Sequence, residues 1–243
     1  MKPSFKIFSP ETDTEYVIYV EEPKEVHGPW PVVLCMDGDD QFSSAAAAYR
    51  EARAAGTVSP LLLVGVGYGA SYAKPANKRG RDYTPTAHSD EPTSGGAAAF
   101  LKFVTGALWT ELAGRYRVDE KRRGIAGHSL GSLFVLYALW SEPLFFTHYL
   151  ASAPSIWWDN RRILEIATGR YAQSVKLPAR LFLSVGEKDS ASMTGDLALL
   201  EQQLTAHPFS GLDVTSRIFA RRNHFNVLPD AFREGLSFLF GQS

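Results

Sequence analysis

Compact apolar runs that alternate with segments of helical periodicity constrain the fold of this chain more than any other feature of its sequence. The runs lie at residues 32–36, 61–66, 124–127, 149–153, 181–185 and 214–219. Continuous apolar runs of this length are typical of strands that are buried on both faces. Alternation of such strands with helices predicts an α/β fold with a mostly parallel central sheet and helices on both of its faces.

Four segments carry apolar residues at three- and four-residue spacing, which predicts helices. They are residues 97–116, 130–140, 196–206 and 229–240. The N-terminus has a different pattern, because two short strands at residues 5–9 and 15–20 are joined there by a polar turn. This pattern predicts an antiparallel N-terminal edge to the sheet.

Two stretches lack a regular period. Residues 68–96 are rich in Gly, Pro and charged side chains, and a loop of this length in a compact domain is often functional. Residues 153–160 contain Trp157 and Trp158 directly after a predicted strand. Because open α/β sheets bind ligands beyond the carboxyl ends of their strands, both stretches are expected to border a binding site.

Composition excludes several classes of protein. Of the 243 residues, 45% are hydrophobic and 21% are charged, which excludes a disordered chain. The 25 basic and 26 acidic residues give a net charge of −1, so nucleic acid is not an expected partner. The sequence has no linker, repeat or low-complexity tract. Residues 1–243 are therefore expected to form a single domain without a separate lid domain.

Cysteine usage and the lengths of the apolar runs set further limits. Cys35 is the single cysteine, which excludes an intramolecular disulfide, and no Cys/His cluster has the spacing of a zinc site. Asp37 and Asp39 could be metal ligands and residues 65–69 a dinucleotide loop, but neither has the rest of such a site. No metal or cofactor is therefore expected. Without a signal-peptide pattern or a membrane-length run, we expect a cytoplasmic protein; its oligomeric state has no signal in the sequence.

A strand-to-helix turn with the pattern G-x-S-x-G is the most specific chemical motif in the chain. Residues 124–132 read GIAGHSLGS and lie between a predicted strand and a predicted helix. Gly127 and Gly131 lack the Cβ atoms that would collide in so sharp a turn, so Ser129 can stand exposed above the sheet. This context predicts a nucleophile elbow with Ser129 as the nucleophile.

A serine hydroxyl needs a neighbouring base to take its proton, and in this fold the base is a histidine later in the chain. Three histidines come after Ser129. His148 leads into a strand and His207 stands at a predicted helix end, so both are interpreted as structural. His224 follows the last predicted strand and precedes the last helix, which is the position expected of the base.

A carboxylate that orients this histidine is expected after the strand at residues 181–185. The segment that follows the strand contains Glu187 and Asp189. Asp189 is favoured and Glu187 is the rival, since the sequence does not show which side chain points toward the imidazole.

An oxyanion hole needs two backbone N–H groups aimed at the developing negative charge. One is expected from Leu130, directly after the nucleophile. The other is expected in the loop after residues 32–36, where Gly38 permits a close turn and Asp39 is the candidate donor.

These motifs, in this order, resemble those of an esterase branch of the α/β-hydrolases that includes esterase D and the ferric-siderophore trilactone esterases. The matching pieces are Asp37-Gly38, the sequence RGRDYTP at residues 79–85, Ser94-Gly95-Gly96, the GHSLG turn with the helix after it, Ala153-Pro154-Ser155 and His224. The resemblance covers nearly the whole chain from about residue 32. Two positions depart from it: Ser132 stands where many relatives carry glycine, and Ala153 where many carry serine.

The resemblance implies hydrolysis of a carboxylic ester through an acyl-serine intermediate, with Ser129 as nucleophile and His224 as base. It also implies a small-molecule ester substrate, such as a siderophore-type ester. Thioesterases and acyltransferases are among the relatives, and some siderophore esterases work with serine and histidine alone. These alternatives stay open, as does a catalytically silent binding protein of the same fold.

Four residues are candidates for substrate binding. Arg79 and Arg81 could hold an anionic group of the substrate, with a solvated surface position as the alternative. Trp157 and Trp158 could form an apolar wall or stack on an aromatic substrate, with core packing as the alternative.

Overall fold

One eight-stranded sheet runs through the part of the chain that the computed structural model describes, residues 4–23, 27–141 and 143–241. The strands are β1 (Phe5–Ser9), β2 (Thr14–Glu21), β3 (Trp30–Cys35), β4 (Leu62–Gly67), β5 (Val118–His128), β6 (His148–Ser152), β7 (Lys176–Gly186) and β8 (Ser210–Phe219). Their order in the sheet is β1-β2-β4-β3-β5-β6-β7-β8. β2 pairs antiparallel with β1 and β4, and the other pairs are parallel. The predicted sheet of an α/β-hydrolase with an antiparallel N-terminal edge is confirmed.

Helices cover both faces of this sheet. They are α1 (Phe42–Ala54), α2 (Arg79–Asp82), α3 (Ala97–Thr105), α4 (Ala107–Arg115), α5 (Leu130–Trp140), α6 (Trp158–Gln173), α7 (Ala191–Ala206) and α8 (Leu228–Phe240). Val32 and Leu34 of β3 belong to the buried cluster that includes side chains of α3 to α7. Val33 and Cys35, which point the other way, belong to the cluster that includes side chains of α1 and α8. Burial on both faces explains why the strand sequences are continuously apolar.

The structure corrects the helix predictions at three places. The predicted helix at residues 97–116 breaks at Gly106, whose ψ of −97° is not helical, into α3 and α4. The sequence prediction contains no helix at α1, where most of the buried residues are alanines and the apolar signal is weak. It also contains none at α6, where positive φ angles at Asp159, Asn160 and Arg161 follow the first residue, Trp158. A run of positive φ angles is not visible in an apolar period.

The loop at residues 68–96 is anchored rather than loose. The only helix among these residues is the single turn α2. The buried carboxylate of Asp82 accepts hydrogen bonds from the hydroxyls of Tyr16 (2.7 Å) and Tyr68 (3.0 Å). The Tyr83 hydroxyl accepts a bond from the Asp37 N–H at 2.9 Å, just after β3. These contacts hold the loop over the carboxyl ends of the central strands.

No helix among the described residues combines the length and the apolar character needed to cross a membrane.

Candidate active site

Ser129 stands in the sharp turn between the end of β5 and the start of α5. Its backbone has φ 58° and ψ −123°, outside the regions that most residues adopt. A Cβ on Gly127 would lie 2.5 Å from the carbonyl carbon and oxygen of Gly131, so this turn requires glycine there. The Ser129 N–H donates to the carbonyl of Ser152 at 3.0 Å, which ties the turn to β6. Ser129 is thereby held, partly exposed, at the N-terminus of α5, where the helix dipole favours negative charge.

A cavity of about 630 Å³ opens beside Ser129. His224 lies on its wall, although these two residues are far apart in the chain. The residues that line the cavity are Asp40, Gln41, Ser44, Tyr72, Arg79, His128, Ser129, Arg222, His224, Phe225, Asn226, Leu228 and Pro229. They lie at the end of β5 and in the segments that follow β3, β4, β5 and β8, including the first turns of α1 and α8, so the cavity lies at the carboxyl edge of the sheet, as expected for an α/β fold.

The loop after β8 carries His224 and is stiffened by its own side chains. The Asn223 side chain accepts from the Phe225 N–H at 3.0 Å, and the Asn226 side chain accepts from the Asn223 N–H at 2.8 Å. Arg221 has a positive φ of 64°. Its N–H donates to the Glu187 carboxylate at 2.6 Å, so Glu187 supports the backbone of the histidine loop and does not lie at the imidazole.

Asp189 is the carboxylate that lies beside His224. Its Oδ1 is 3.3 Å from His224 Nδ1, and its side chain is fully buried. Oδ2 accepts the Gly186 N–H at 2.8 Å, which fixes the carboxylate. The imidazole N–H is not aligned with Oδ1, so both atoms lack a hydrogen-bond partner among the described residues. Catalytic hydrogen bonds are often poorly aligned before substrate binds.

The imidazole of His224 packs on the imidazole of His128, with ring centroids 4.6 Å apart and planes 39° apart. His128 is buried, and its Nδ1 lies 3.2 Å from the Ser152 hydroxyl. Burial, together with repulsion from His224, lowers the pKa of His128 to about 3. At neutral pH His128 is therefore an uncharged ring that supports one face of His224.

Lowering the pH should destabilise the folded protein, because His128 binds a proton more readily in the unfolded chain. Its pKa in the folded state, about 3, is below the ordinary 6.5, so the unfolded chain binds the proton more tightly. This contribution to stability is fully present above pH 6.5 and is lost as pH falls toward 3. The free energy of unfolding should therefore drop by roughly 1.4 kcal/mol per pH unit across that range. Burial also lowers the pKa of His148, to about 4, which makes the upper part of the slope steeper.

Urea unfolding of the wild-type protein and of His128→Gln between pH 7 and pH 4 measures this slope. The variant should have a shallower pH dependence, whatever its stability at pH 7. An unchanged slope in His128→Gln would show that other groups cause the acid sensitivity.

Backbone N–H groups with no hydrogen-bond partner lie where an oxyanion hole is expected. In the loop after β3, Gly38 N–H donates to Val66 O at 2.8 Å, while Asp40 and Gln41 N–H both donate to Asp37 O. Among the described residues, the N–H groups of Asp39 and Leu130 have no such partner.

Gly38 contributes space rather than a donor to this loop. A Cβ at this position would lie 2.8 Å from the backbone of Val66. The Asp39 carboxylate accepts the Tyr19 hydroxyl at 2.6 Å and the Gly69 N–H at 3.0 Å, which fixes the backbone of the loop. The Asp39 side chain is therefore engaged in structure. No cluster of three or more His, Cys, Asp or Glu side chains that could hold a metal ion occurs in the described ranges.

The two candidate arginines have different surroundings. Arg79 lies on the cavity wall and forms a two-point ion pair with the buried Asp37, at 2.7 and 3.0 Å. The Arg81 guanidinium instead bonds the Asp82 carboxylate at 2.7 Å and the Thr14 hydroxyl at 2.9 Å. It is not among the cavity-lining residues. The structure therefore does not bring Arg81 to the site, because its donors tie α2 to the first residue of β2.

The two tryptophans are also absent from the cavity wall. Trp158 is only 7% exposed, and its indole N–H donates to Thr86 O at 3.3 Å, so it packs against the loop at residues 68–96. Trp157 is 48% exposed. The aromatic residues that do line the cavity are Tyr72 and Phe225, which sequence reasoning missed because both lie in segments without an apolar period.

Comparisons with known proteins give consistent results. A family model described as "Putative esterase" matches residues 9–211. The chain is 31% identical over 246 residues to the ferri-bacillibactin esterase BesA of Bacillus subtilis (strain 168), with 92% of this chain and 84% of the relative covered. It is 34% identical over 155 residues to the siderophore triacetylfusarinine C esterase of Aspergillus fumigatus, with 62% of this chain and 52% of the relative covered. Among solved structures, the BES protein from Bacillus cereus matches with a TM-score of 0.88 at 28% identity, with 97% of this chain and 93% of that protein covered.

Proposed function

The chain belongs to this esterase family and is a carboxylic ester hydrolase, and we propose that it works through an acyl-serine intermediate formed on Ser129. The observation that supports this proposal is that Ser129 and His224 line one cavity beyond the carboxyl ends of β5 and β8, while Asp189, which follows β7, lies beside His224. A nucleophile, a base and a buried orienting carboxylate are the groups that acyl transfer by serine requires.

In the first half of the reaction, His224 takes the proton of the Ser129 hydroxyl while Oγ attacks the ester carbonyl carbon. The carbonyl oxygen gains the negative charge, and the N–H groups of Leu130 and Asp39 donate to it. His224 then gives its proton to the leaving alcohol, the C–O bond breaks, and the acyl group stays on Ser129. Asp189 holds the imidazole orientation and stabilises the imidazolium that forms between these steps.

In the second half, a water molecule replaces the alcohol. His224 takes a proton from the water, and the resulting hydroxide attacks the acyl carbon. The oxyanion forms again and collapses, His224 returns its proton to Ser129 Oγ, and the carboxylic acid leaves. The net reaction consumes one ester and one water and forms one acid and one alcohol.

We further propose that the substrate is a siderophore-type ester. One relative is named as a siderophore esterase and another as a ferri-bacillibactin esterase, and the cavity wall suits a bulky ligand. Phe225 is 92% exposed and Tyr72 is 50% exposed at this wall, and exposed aromatic rings beside a cavity favour stacking with an aromatic or apolar ligand. Asp37 and Asp230 neutralise the arginines of the wall, Arg79 and Arg222. The exposed aromatic rings, more than the charge of the cavity wall, therefore favour a siderophore-type ester as the substrate.

The test is a substrate panel that includes p-nitrophenyl acetate, a trilactone siderophore in ferric and iron-free forms, a matched thioester, and an added acceptor alcohol. The expected result is that kcat/KM for a trilactone exceeds that for p-nitrophenyl acetate by at least about tenfold, with free acid as the product. Faster turnover of the thioester, or transfer of the acyl group to the alcohol, would contradict the proposed ester hydrolysis of siderophores.

A further inference from the structure

Ser155 lies beside the nucleophile and has no part in the mechanism above. We propose that its hydroxyl donates a hydrogen bond to Ser129 Oγ and stabilises the negative charge that this atom gains when its proton leaves. This inference rests on the proposed function, because it assigns a second hydroxyl to the reacting atom of that site.

The two hydroxyl oxygens are 3.5 Å apart, and Ser155 is 1% exposed. Among the described residues, the Ser155 hydroxyl has no other hydrogen-bond partner than Ser129 Oγ. A buried hydroxyl that lacks a partner is costly, so this contact is the one that the Ser155 side chain can satisfy.

Main-chain hydrogen bonds hold the backbone around Ser155 in place. Its N–H donates to the Ser129 carbonyl at 3.3 Å, and its own carbonyl accepts the Trp158 N–H at 3.2 Å. Ala153, with a positive φ of 45°, donates its N–H to Ser184 O at 2.7 Å and turns the chain at the end of β6. None of these contacts uses the Ser155 hydroxyl. These bonds thus hold the backbone of Ser155 beside the turn at Ser129, and removal of the hydroxyl leaves them in place.

A hydroxyl has one proton to donate and two lone pairs to accept with. If Ser155 donates to Ser129 Oγ, the proton of Ser129 stays available for His224. As His224 removes that proton, Oγ gains partial negative charge until its bond to the carbonyl carbon is complete, and hydrogen bonds to charged oxygen are shorter and stronger than neutral ones. The long contact of the resting site therefore tightens in the transition state, which is the condition under which an interaction accelerates a reaction.

The same donor acts in the second half of the reaction. While the acyl group is attached, Ser129 Oγ is an ester oxygen and a weak acceptor. When the second tetrahedral intermediate collapses, the bond between the acyl carbon and Oγ breaks and Oγ takes the electron pair. Ser155 is then again placed to donate to the departing oxygen, so loss of its hydroxyl should slow both acylation and deacylation.

The experiment compares wild-type protein with Ser155→Ala and Ser155→Cys, the latter of which keeps a side chain of similar shape with a weaker donor. For p-nitrophenyl acetate, Ser155→Ala should lower kcat by about 10- to 100-fold, the range of a hydrogen bond to a charged group, with KM changed less than about threefold. The rate of labelling by a fluorophosphonate should fall in parallel, and Ser155→Cys should lie between the two proteins.

Ser184→Ala is the matched control. This serine is buried on the neighbouring strand β7 and its hydroxyl has no partner among the described residues, so the same substitution should leave kcat unchanged. A folded Ser155→Ala protein with wild-type kcat and labelling rate would overturn the role of Ser155. If Ser155→Ala does not fold, wild-type kcat in Ser155→Cys would overturn it. Failure of the wild-type protein to label at Ser129 would instead reject the proposed function itself.

Discussion

Replacement of Ser129 by alanine is expected to lower kcat/KM for p-nitrophenyl acetate by about 10⁴-fold or more. The activity that remains would come from substrate binding and oxyanion stabilisation alone. Without Oγ no acyl-enzyme forms at this position. Alanine removes one oxygen from a partly exposed side chain, so the loss should be chemical and should leave the fold intact.

Three measurements test whether Ser129 is the nucleophile. A fluorophosphonate should add its mass to the wild-type protein at Ser129 and add nothing to Ser129→Ala. The double variant Ser129→Ala, His224→Ala should be no less active than either single variant, because the two side chains act as a unit. Ser43→Ala, an exposed serine on α1, should behave as wild type. Turnover retained within about tenfold by Ser129→Ala would rule out Ser129 as the nucleophile.

Removal of the Asp189 carboxylate is expected to have the second largest effect. In Asp189→Ala, His224 loses the buried group that lies 3.3 Å from Nδ1, and kcat should fall by about 10²- to 10⁴-fold. Asp189→Asn should fall in the same range, because an amide can favour the wrong tautomer of the imidazole. The Gly186 N–H, which the carboxylate now accepts, also loses its partner in Asp189→Ala, so thermal midpoints must accompany the kinetics.

Glu187→Ala is the matched control for this experiment. Glu187 is exposed and accepts the Arg221 N–H, so its loss should loosen the histidine loop and lower kcat by less than about tenfold. The reverse result, a severe loss in Glu187→Ala with activity retained in Asp189→Ala, would exchange the roles of the two carboxylates. Activity retained in both variants would indicate that Ser129 and His224 work as a dyad.

The parts of the site that depend on local chain geometry could be read from the sequence. The strand, turn and helix around Ser129 follow from apolar period and from two glycines whose spacing suits one turn. The position of His224 follows from chain order, since it is the histidine between the last strand and the last helix. The α1 and α6 helices were harder to predict, because small alanines and left-handed residues give a weak periodic signal.

The sequence by itself determined the α/β sheet with its antiparallel edge, the turn at Ser129 and the candidate base His224. The spacing of apolar residues, the glycines of a turn and the order of elements along the chain can all be read without knowing where side chains point. Only the tertiary structure decided which of two nearby carboxylates lies at His224, which of two arginines lines the cavity, and that Ser155 lies at the nucleophile. Each of these depends on where a side chain points, and its partner comes from a distant segment: Glu187 meets Arg221, Arg81 meets Thr14, and Ser155 meets Ser129.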